Sequence, residues 1–229
     1  MHVFTTSGIV VGMLALQAVL EQRATAAMVL LLVTQLIDGI DGPMARATSV
    51  KERVPKIDGY VLDLVIDFVT CVIVPAAFMY QFHLLPAQFA VALVGLAVFT
   101  SAIWFSRTDM MTPDYWFRGF PAVWNLAAPT LYLLHVRQSD AAIVVILLSV
   151  ASLTDLPFPH PVRAVWMRPF TLTVTVLWLT AMTLLVFLDN SRVPYLRIWL
   201  LVGPLVFVGL MTARLLGLDQ GSAVSGSAD

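Results

Sequence analysis

Apolar residues run along this chain in blocks of about 17–22, the length an α-helix needs to cross a bilayer core, rather than in the short alternations that mark strands. Eight such blocks are predicted as helices: residues 3–21, 24–42, 59–80, 87–106, 120–137, 141–157, 170–188 and 196–214. Residues 68–106 contain no Asp, Glu, Lys or Arg, so their division around Leu84-Leu85-Pro86 rests on length alone. Pro75, Pro129 and Pro204 fall inside blocks, where they are expected to kink a helix without ending it. The pattern predicts an all-α polytopic membrane protein of about eight transmembrane helices, with residues 1–218 forming one membrane domain. Residues 219–229, rich in Ser and Gly, are expected to be a disordered tail. No internal repeat is visible. Ala24-Thr25-Ala26 mimics a signal-peptide cleavage site, but no basic segment precedes the first block, which is therefore read as a retained helix.

Composition agrees with this reading and excludes several functions. Of 229 residues, 59% are hydrophobic and 12% charged, and the mean hydropathy is +0.88. Soluble chains carry about twice that charged fraction. A net charge of −1, without a clustered basic excess, excludes a nucleic-acid binder. The single cysteine, Cys71, excludes a disulfide framework and a cysteine metal site, and it reads as a small core residue. His2, His83, His135 and His160 have no metal-ligand spacing with one another.

Basic residues at the block ends set an orientation. If the loop after the second helix faces the cytosol, that side receives nine: Arg46, Lys51, Arg53, Lys56, Arg107, Arg118, Arg163, Arg168 and Arg214. Arg23, Arg137, Arg192 and Arg197, four in all, fall on the other side. Both termini, and the ends of helices 2 and 3 that carry acidic residues, are thus expected in the cytosol.

Those acidic residues are the anomaly of the pattern. Asp38 and Asp41 share one face of helix 2, and Asp63 and Asp67 stack with Gly59 on one face of helix 3. A charge at the centre of a membrane helix costs roughly 2.5–3.5 kcal/mol, and four neighbouring carboxylates cannot all stay ionised without compensation. Consecutive helices are antiparallel neighbours, so each can offer two carboxylates to a shared cleft. Oxygen ligands without His or Cys suit a hard divalent cation, Mg²⁺ or Mn²⁺. A pair of such ions clamps both sides of a phosphoryl displacement. Arg46, one turn beyond Asp41, is placed to meet a phosphate oxygen, and Gly42 and Gly59 leave room for a bulky ligand beside the backbone. Two other readings stay open on the residues alone. The aspartates could couple ions in a transporter, or Arg46, Lys51 and Arg53 could neutralise one or two of them as structural pairs.

The series Asp38, Asp41, Gly42, Ala45, Arg46, Gly59, Asp63 and Asp67 resembles the signature of the CDP-alcohol phosphotransferase family, Asp-x-x-Asp-Gly-x-x-Ala-Arg followed by Gly-x-x-x-Asp-x-x-x-Asp. The spacer from 47 to 58 has twelve residues, longer than in most of that family, and with Gly39 it resembles the bacterial phosphatidylcholine synthase branch. The segments HVFTTSG, VKERVP, VIDFVTCVIVPAAFMYQ, FRGFPAVWN and HPVRAVWMRP are similar to that branch as well. Relatives commonly carry a further segment before the first helix, a departure at the start of this chain.

The resemblance implies transfer of a phosphatidyl group from CDP-diacylglycerol to choline with release of CMP, at the cytosolic face of a bacterial inner membrane. It implies Asp38, Asp41, Asp63 and Asp67 as ligands of Mn²⁺ or Mg²⁺, two ions in all, and Asp67 as the general base. Gly42, Ala45, Arg46 and Gly59 would accommodate the CDP moiety, with Thr5 and Ser7 adding polar contacts to the nucleotide. Other acceptors used in the broad family are serine, inositol and glycerol phosphate. Relatives of that family are often homodimers, and the resemblance extends the expectation to this chain. A quaternary ammonium is held by aromatic faces and a carboxylate, and the region from Trp104 to Asn125 is richest in both. Tyr115, Trp116, Trp124 and Asn125 are the expected choline cage, against the alternative of an interfacial aromatic belt. Arg107, Arg118, Arg163 and Arg168 are candidates for the lipid phosphate.

Overall fold

The computed structural model describes residues 2–48, 57–188 and 194–219, without the side chains of 2, 3, 41–48 and 194. Eight helices lie among the described residues: α1 His2–Leu20, α2 Ala24–Thr48, α3 Gly59–Gln81, α4 Ala90–Phe105, α5 Trp124–Leu133, α6 Gln138–Ser152, α7 Arg168–Phe187 and α8 Pro194–Leu215. Three of them, α3, α7 and α8, are long and apolar enough to cross a membrane by themselves; α1, α2, α4 and α6 are shorter apolar helices. The break expected at Leu84-Leu85-Pro86 is present, since α3 ends at Gln81 and α4 starts at Ala90. The expected tail beyond 219, and the basic residues Lys51, Arg53, Lys56 and Arg192, lie outside the described residues.

The block 120–137 does not become the expected span. Only Trp124–Leu133 is helical, ten residues, or about 15 Å against a core of about 30 Å. Pro121 bars Phe120 from helical geometry, Ala122 has φ +54°, and a chain segment ahead of α5 is drawn into long-range contacts instead. Trp116–Arg118 (β1) pairs antiparallel with Pro157–Pro159 (β2), with Phe117 opposite Phe158. Gly119, at φ +81°, sits where a Cβ would lie 2.8–2.9 Å from the carbonyl oxygens of Ala151, Ser152 and Thr154. Its N–H donates to Leu156 O, Phe120 N–H donates to Ala151 O, and Ser152 Oγ donates to Phe120 O, so this loop closes the C-terminal end of α6.

Segments 106–123 and 153–167 therefore form a polar cap at one end of the bundle. Arg107 pairs with Asp109 and Asp155 and donates to Thr154 O. Arg214, in the last turn of α8, pairs with Asp114 and lies 4.5 Å from the centroid of Trp116. At the opposite end, Gln138 donates to His83 O and Arg197 meets His135. The helices alternate between these two ends, and α2 finishes at the capped one.

The core lies among all eight helices, with Leu31, Phe78, Met79, Trp124, Met182 and Leu200 buried in it. The outward faces carry exposed Val91, Leu147, Phe187, Ile198 and Leu205, the pattern expected of surfaces that meet lipid. α1 packs on both α2 and α3, and α5 reaches α2, α3 and α7.

Candidate metal centre

α3 is where the sequence pattern and the site meet. Asp58 caps its start, accepting hydrogen bonds from Tyr60 N–H and Val61 N–H, the arrangement that satisfies otherwise orphaned helix donors. Gly59 opens the helix, Asp63 follows one turn later and Asp67 another turn after that. Directly beyond Asp67 the helix widens to a π segment, Phe68–Ile73, before resuming α geometry at Val74. Such one-turn π insertions concentrate at functional sites because they re-aim the neighbouring side chains. Thr70, within it, returns its hydroxyl to Ile66 O at 3.1 Å.

Carboxylate oxygens of Asp38, from α2, and of Asp63 and Asp67, from α3, all lie within 4.8 Å of one another. The three side chains are half-buried and line a narrow cleft together with Thr5, Gly8, Thr34, Ile37, Ile66 and Thr70. α1 forms the third wall. Gly8 stands where a Cβ would meet Ile66 at 3.4 Å and Ile37 at 3.6 Å, and a Cβ on Gly12 would meet Thr70 Cγ2 at 2.9 Å. The spacing Gly8-x-x-x-Gly12 is the one that lets membrane helices approach closely, and it was the available signal for this wall.

Three anionic oxygen donors converging at this distance, with no His or Cys among them, have the chemistry of a Mg²⁺ or Mn²⁺ site. The expected fourth ligand, Asp41, lies with Gly42, Ala45 and Arg46 outside the residues whose side chains are described. Thr5 joins the cleft, whereas Ser7 turns its hydroxyl back to Phe4 O.

Behind the carboxylates lies a polar chain that sequence reasoning missed. Gln35 Nε2 donates to Asp38 Oδ2 at 3.4 Å, and Asn125 Nδ2 donates to Gln35 Oε1 at 2.8 Å. Gln35 lies three residues before Asp38, hence on the same helix face, which was its only signal.

The four residues expected as a choline cage are not gathered in one place. Trp124 is fully buried in the main core, edge-on to Phe120, its indole N–H donating to Ser101 Oγ at 2.9 Å. Trp116 is fully buried in a separate cluster with Ala164 and Leu210, beside Trp166 and beneath Arg214. Tyr115 is exposed at φ +64°. Asn125 is the one of the four tied to the carboxylates. Among the lipid-phosphate candidates, Arg107 is committed to its two aspartates, Arg118 lies 3.9 Å from Asp109, and Arg168 donates to Val162 O.

No family model matches the chain. Similarity to individual proteins is extensive. The chain is 36% identical over 213 residues to a phosphatidylcholine synthase of Pseudomonas aeruginosa, covering 93% of this chain and 90% of that one. It is 39% identical over 177 residues to a phosphatidylcholine synthase of Mesorhizobium japonicum, covering 77% of this chain and 66% of the relative. It is 32% identical over 176 residues to one from Borreliella burgdorferi, covering 77% and 75%. With three of the signature aspartates converging on one cleft and similarity along nearly the whole length, the chain belongs to the phosphatidylcholine synthase family.

Proposed function

We propose that this chain transfers the phosphatidyl group of CDP-diacylglycerol to choline, giving phosphatidylcholine and CMP. The observation that carries the reading is the meeting of Asp38, Asp63 and Asp67 in one cleft, in a chain similar over most of its length to proteins named for that product. Asp38, Asp63 and Asp67, with Asp41, would hold two Mn²⁺ or Mg²⁺ ions. Bound there, the ions supply Lewis-acid polarisation of the donor's diphosphate and stabilise the charge that develops on CMP.

The chain's own residues do the rest. Asp67 accepts the hydroxyl proton of choline as its oxygen forms a bond to the phosphorus bearing the diacylglycerol, while the bond from that phosphorus to the CMP oxygen breaks. A base must lie within hydrogen-bond reach of the reacting hydroxyl, and Asp67 lines the cleft with its carboxylate within 4.8 Å of those of Asp38 and Asp63. Gly42, Ala45 and Gly59 give the cytidine room, and Arg46 steadies the diphosphate. The close wall of α1 at Gly8 and Gly12 narrows the space for water at the reacting centre. Of the four residues expected to hold choline, Asn125 alone is linked to the carboxylates, through Gln35, while Trp116 and Trp124 are buried in separate clusters. The capped end, which holds the carboxylates, faces the cytosol of a bacterial inner membrane.

The test is CMP release from CDP-diacylglycerol by the purified full chain, with and without Mn²⁺, using radiolabelled choline, serine, inositol and glycerol phosphate in parallel. Turnover with choline alone, dependent on the cation, is expected. Asp67→Asn should fold normally and release no CMP. Preferred use of another acceptor would overturn the substrate, and appreciable turnover by Asp67→Asn would remove it as the base.

A further inference from the structure

Asp38 is held by an amide relay whose direction its own charge dictates. An ionised carboxylate accepts and cannot donate, so the Gln35 amide must turn its NH₂ toward Asp38. That orientation points Gln35 Oε1 at Asn125, which must answer with its own NH₂, and the distances are 3.4 and 2.8 Å. The relay ends at Asn125 Oδ1, which is buried and has no hydrogen-bond partner among the described residues. Asn125 is 3% exposed and stands in the first turn of α5, a helix whose start is fixed by the cap through Gly119 and Phe120. The relay thus joins two separate pieces of structure, the cap-anchored start of α5 and the turn of α2 that carries Asp38.

We infer that Gln35 and Asn125 are positioning residues that fix the Asp38 carboxylate for its cation, and that this relay couples the cap to the metal centre. This rests on reading the cleft as a metal centre. Outer residues that orient ligating carboxylates typically change metal affinity by about 10–100-fold when lost. The long first step, at 3.4 Å, places the expectation at the lower end of that range.

The experiment measures Mn²⁺ binding to the full chain in detergent by the electron paramagnetic resonance signal of free Mn²⁺, without substrates. Gln35→Met keeps the length of the side chain and removes both amide groups. It should weaken Mn²⁺ binding about 10-fold and recover kcat at excess Mn²⁺, while the Asn125 amide that it leaves without an acceptor lowers the melting temperature of the metal-free protein. Asn125→Asp is the decisive companion, because two mechanisms predict opposite signs. A second acceptor at 125 would turn the Gln35 NH₂ away from Asp38 and weaken Mn²⁺ binding. An added negative charge acting only through space would tighten it. In the double variant, Asn125→Asp should add nothing to the loss caused by Gln35→Met.

Mn²⁺ affinity within twofold of wild type for Gln35→Met, or tighter binding by Asn125→Asp, would overturn the relay while leaving the metal centre intact. Failure of the wild-type chain to bind Mn²⁺ would overturn both. If Gln35→Met does not fold, Asn125→Asp carries the same test by its sign.

Discussion

Gly12→Ala adds one methyl group on α1, about as small a change as the chain permits, and it should disable the site from outside the cleft. The new Cβ would stand 2.9 Å from Thr70 Cγ2, whereas apolar carbons in good contact sit about 3.5–4.0 Å apart. Relief therefore requires α1 and the π segment of α3 to separate by roughly 0.6–1 Å, because Thr70 is buried and its hydroxyl is committed to Ile66 O. Overpacking of this kind costs about 1–3 kcal/mol. Thr70 follows Asp67 by three residues, so the displacement reaches the carboxylate, and a misplacement of about 1 Å at a reacting group can cost about 100-fold in rate. CMP release and thermal unfolding of the purified variant should both fall. Gly95→Ala and Gly209→Ala provide the contrast, since nothing lies within 4 Å of a Cβ at either position, and they should be neutral or slightly stabilising. Thr70→Ser removes the offending methyl and keeps the hydroxyl, so the pair Gly12→Ala/Thr70→Ser should regain activity. Wild-type turnover in Gly12→Ala, or no recovery in the pair, would refute the reasoning.

Two further outcomes concern the cap. Gly119→Ala would place a Cβ against three backbone carbonyls at a left-handed position, and the sum of strain and overlap is about 2–5 kcal/mol; differential scanning fluorimetry should show a melting temperature lower by several degrees. His160 Nδ1 accepts hydrogen bonds from Val162 N–H and Arg163 N–H while its ring stacks on Phe117, an arrangement open only to the neutral imidazole. Burial, reinforced by the Arg163 charge, lowers its pKa from 6.5 to about 4. The unfolded chain therefore binds the proton more readily. The stabilisation is fully present above pH 6.5 and is lost as the pH falls toward 4, by at most about 3 kcal/mol. His160→Asn keeps an acceptor without titrating, so melting curves from pH 7 to 4 should diverge, with the wild type losing more.

How much of this was legible depended on the range of the interactions that decide each part. Blocks of apolar residues carry their own helical preference, so α1, α2, α3 and α4 appear within a few residues of their expected bounds, and the break before Pro86 follows from length. The carboxylates were legible for the opposite reason, since charges at 38, 63 and 67 contradict their surroundings and must have partners. The cap was not. Its strands hold three residues each and pair across forty intervening positions, and its anchor at Arg214 lies 100 residues from Asp114. No local pattern announces such pairings, and the apolar run from 120 to 137 hid the loop beneath what looked like a span. The π segment was illegible because Phe68–Ile73 is an apolar run within a longer one, and nothing in its composition distinguishes π from α hydrogen bonding. Asn125 was singled out only for a choline cage and Gln35 for nothing; 90 residues apart, they show no link until the fold joins them.

Asp63 and Asp67 sit about 6–12 Å along α3 from its capped end, and the proposed reaction would hold the phosphorus at that depth. A lipid whose headgroup reacts there keeps its acyl chains in one leaflet from entry to release, as donor and as product alike. Catalysis of this geometry exchanges one headgroup for another, lipid for lipid, within one half of the bilayer, so it changes that half's composition and charge and not its number of acyl chains. Spreading the product to the other half then falls to separate lipid-translocating proteins, and the difference in headgroup composition between the two halves grows with every turnover that they do not balance.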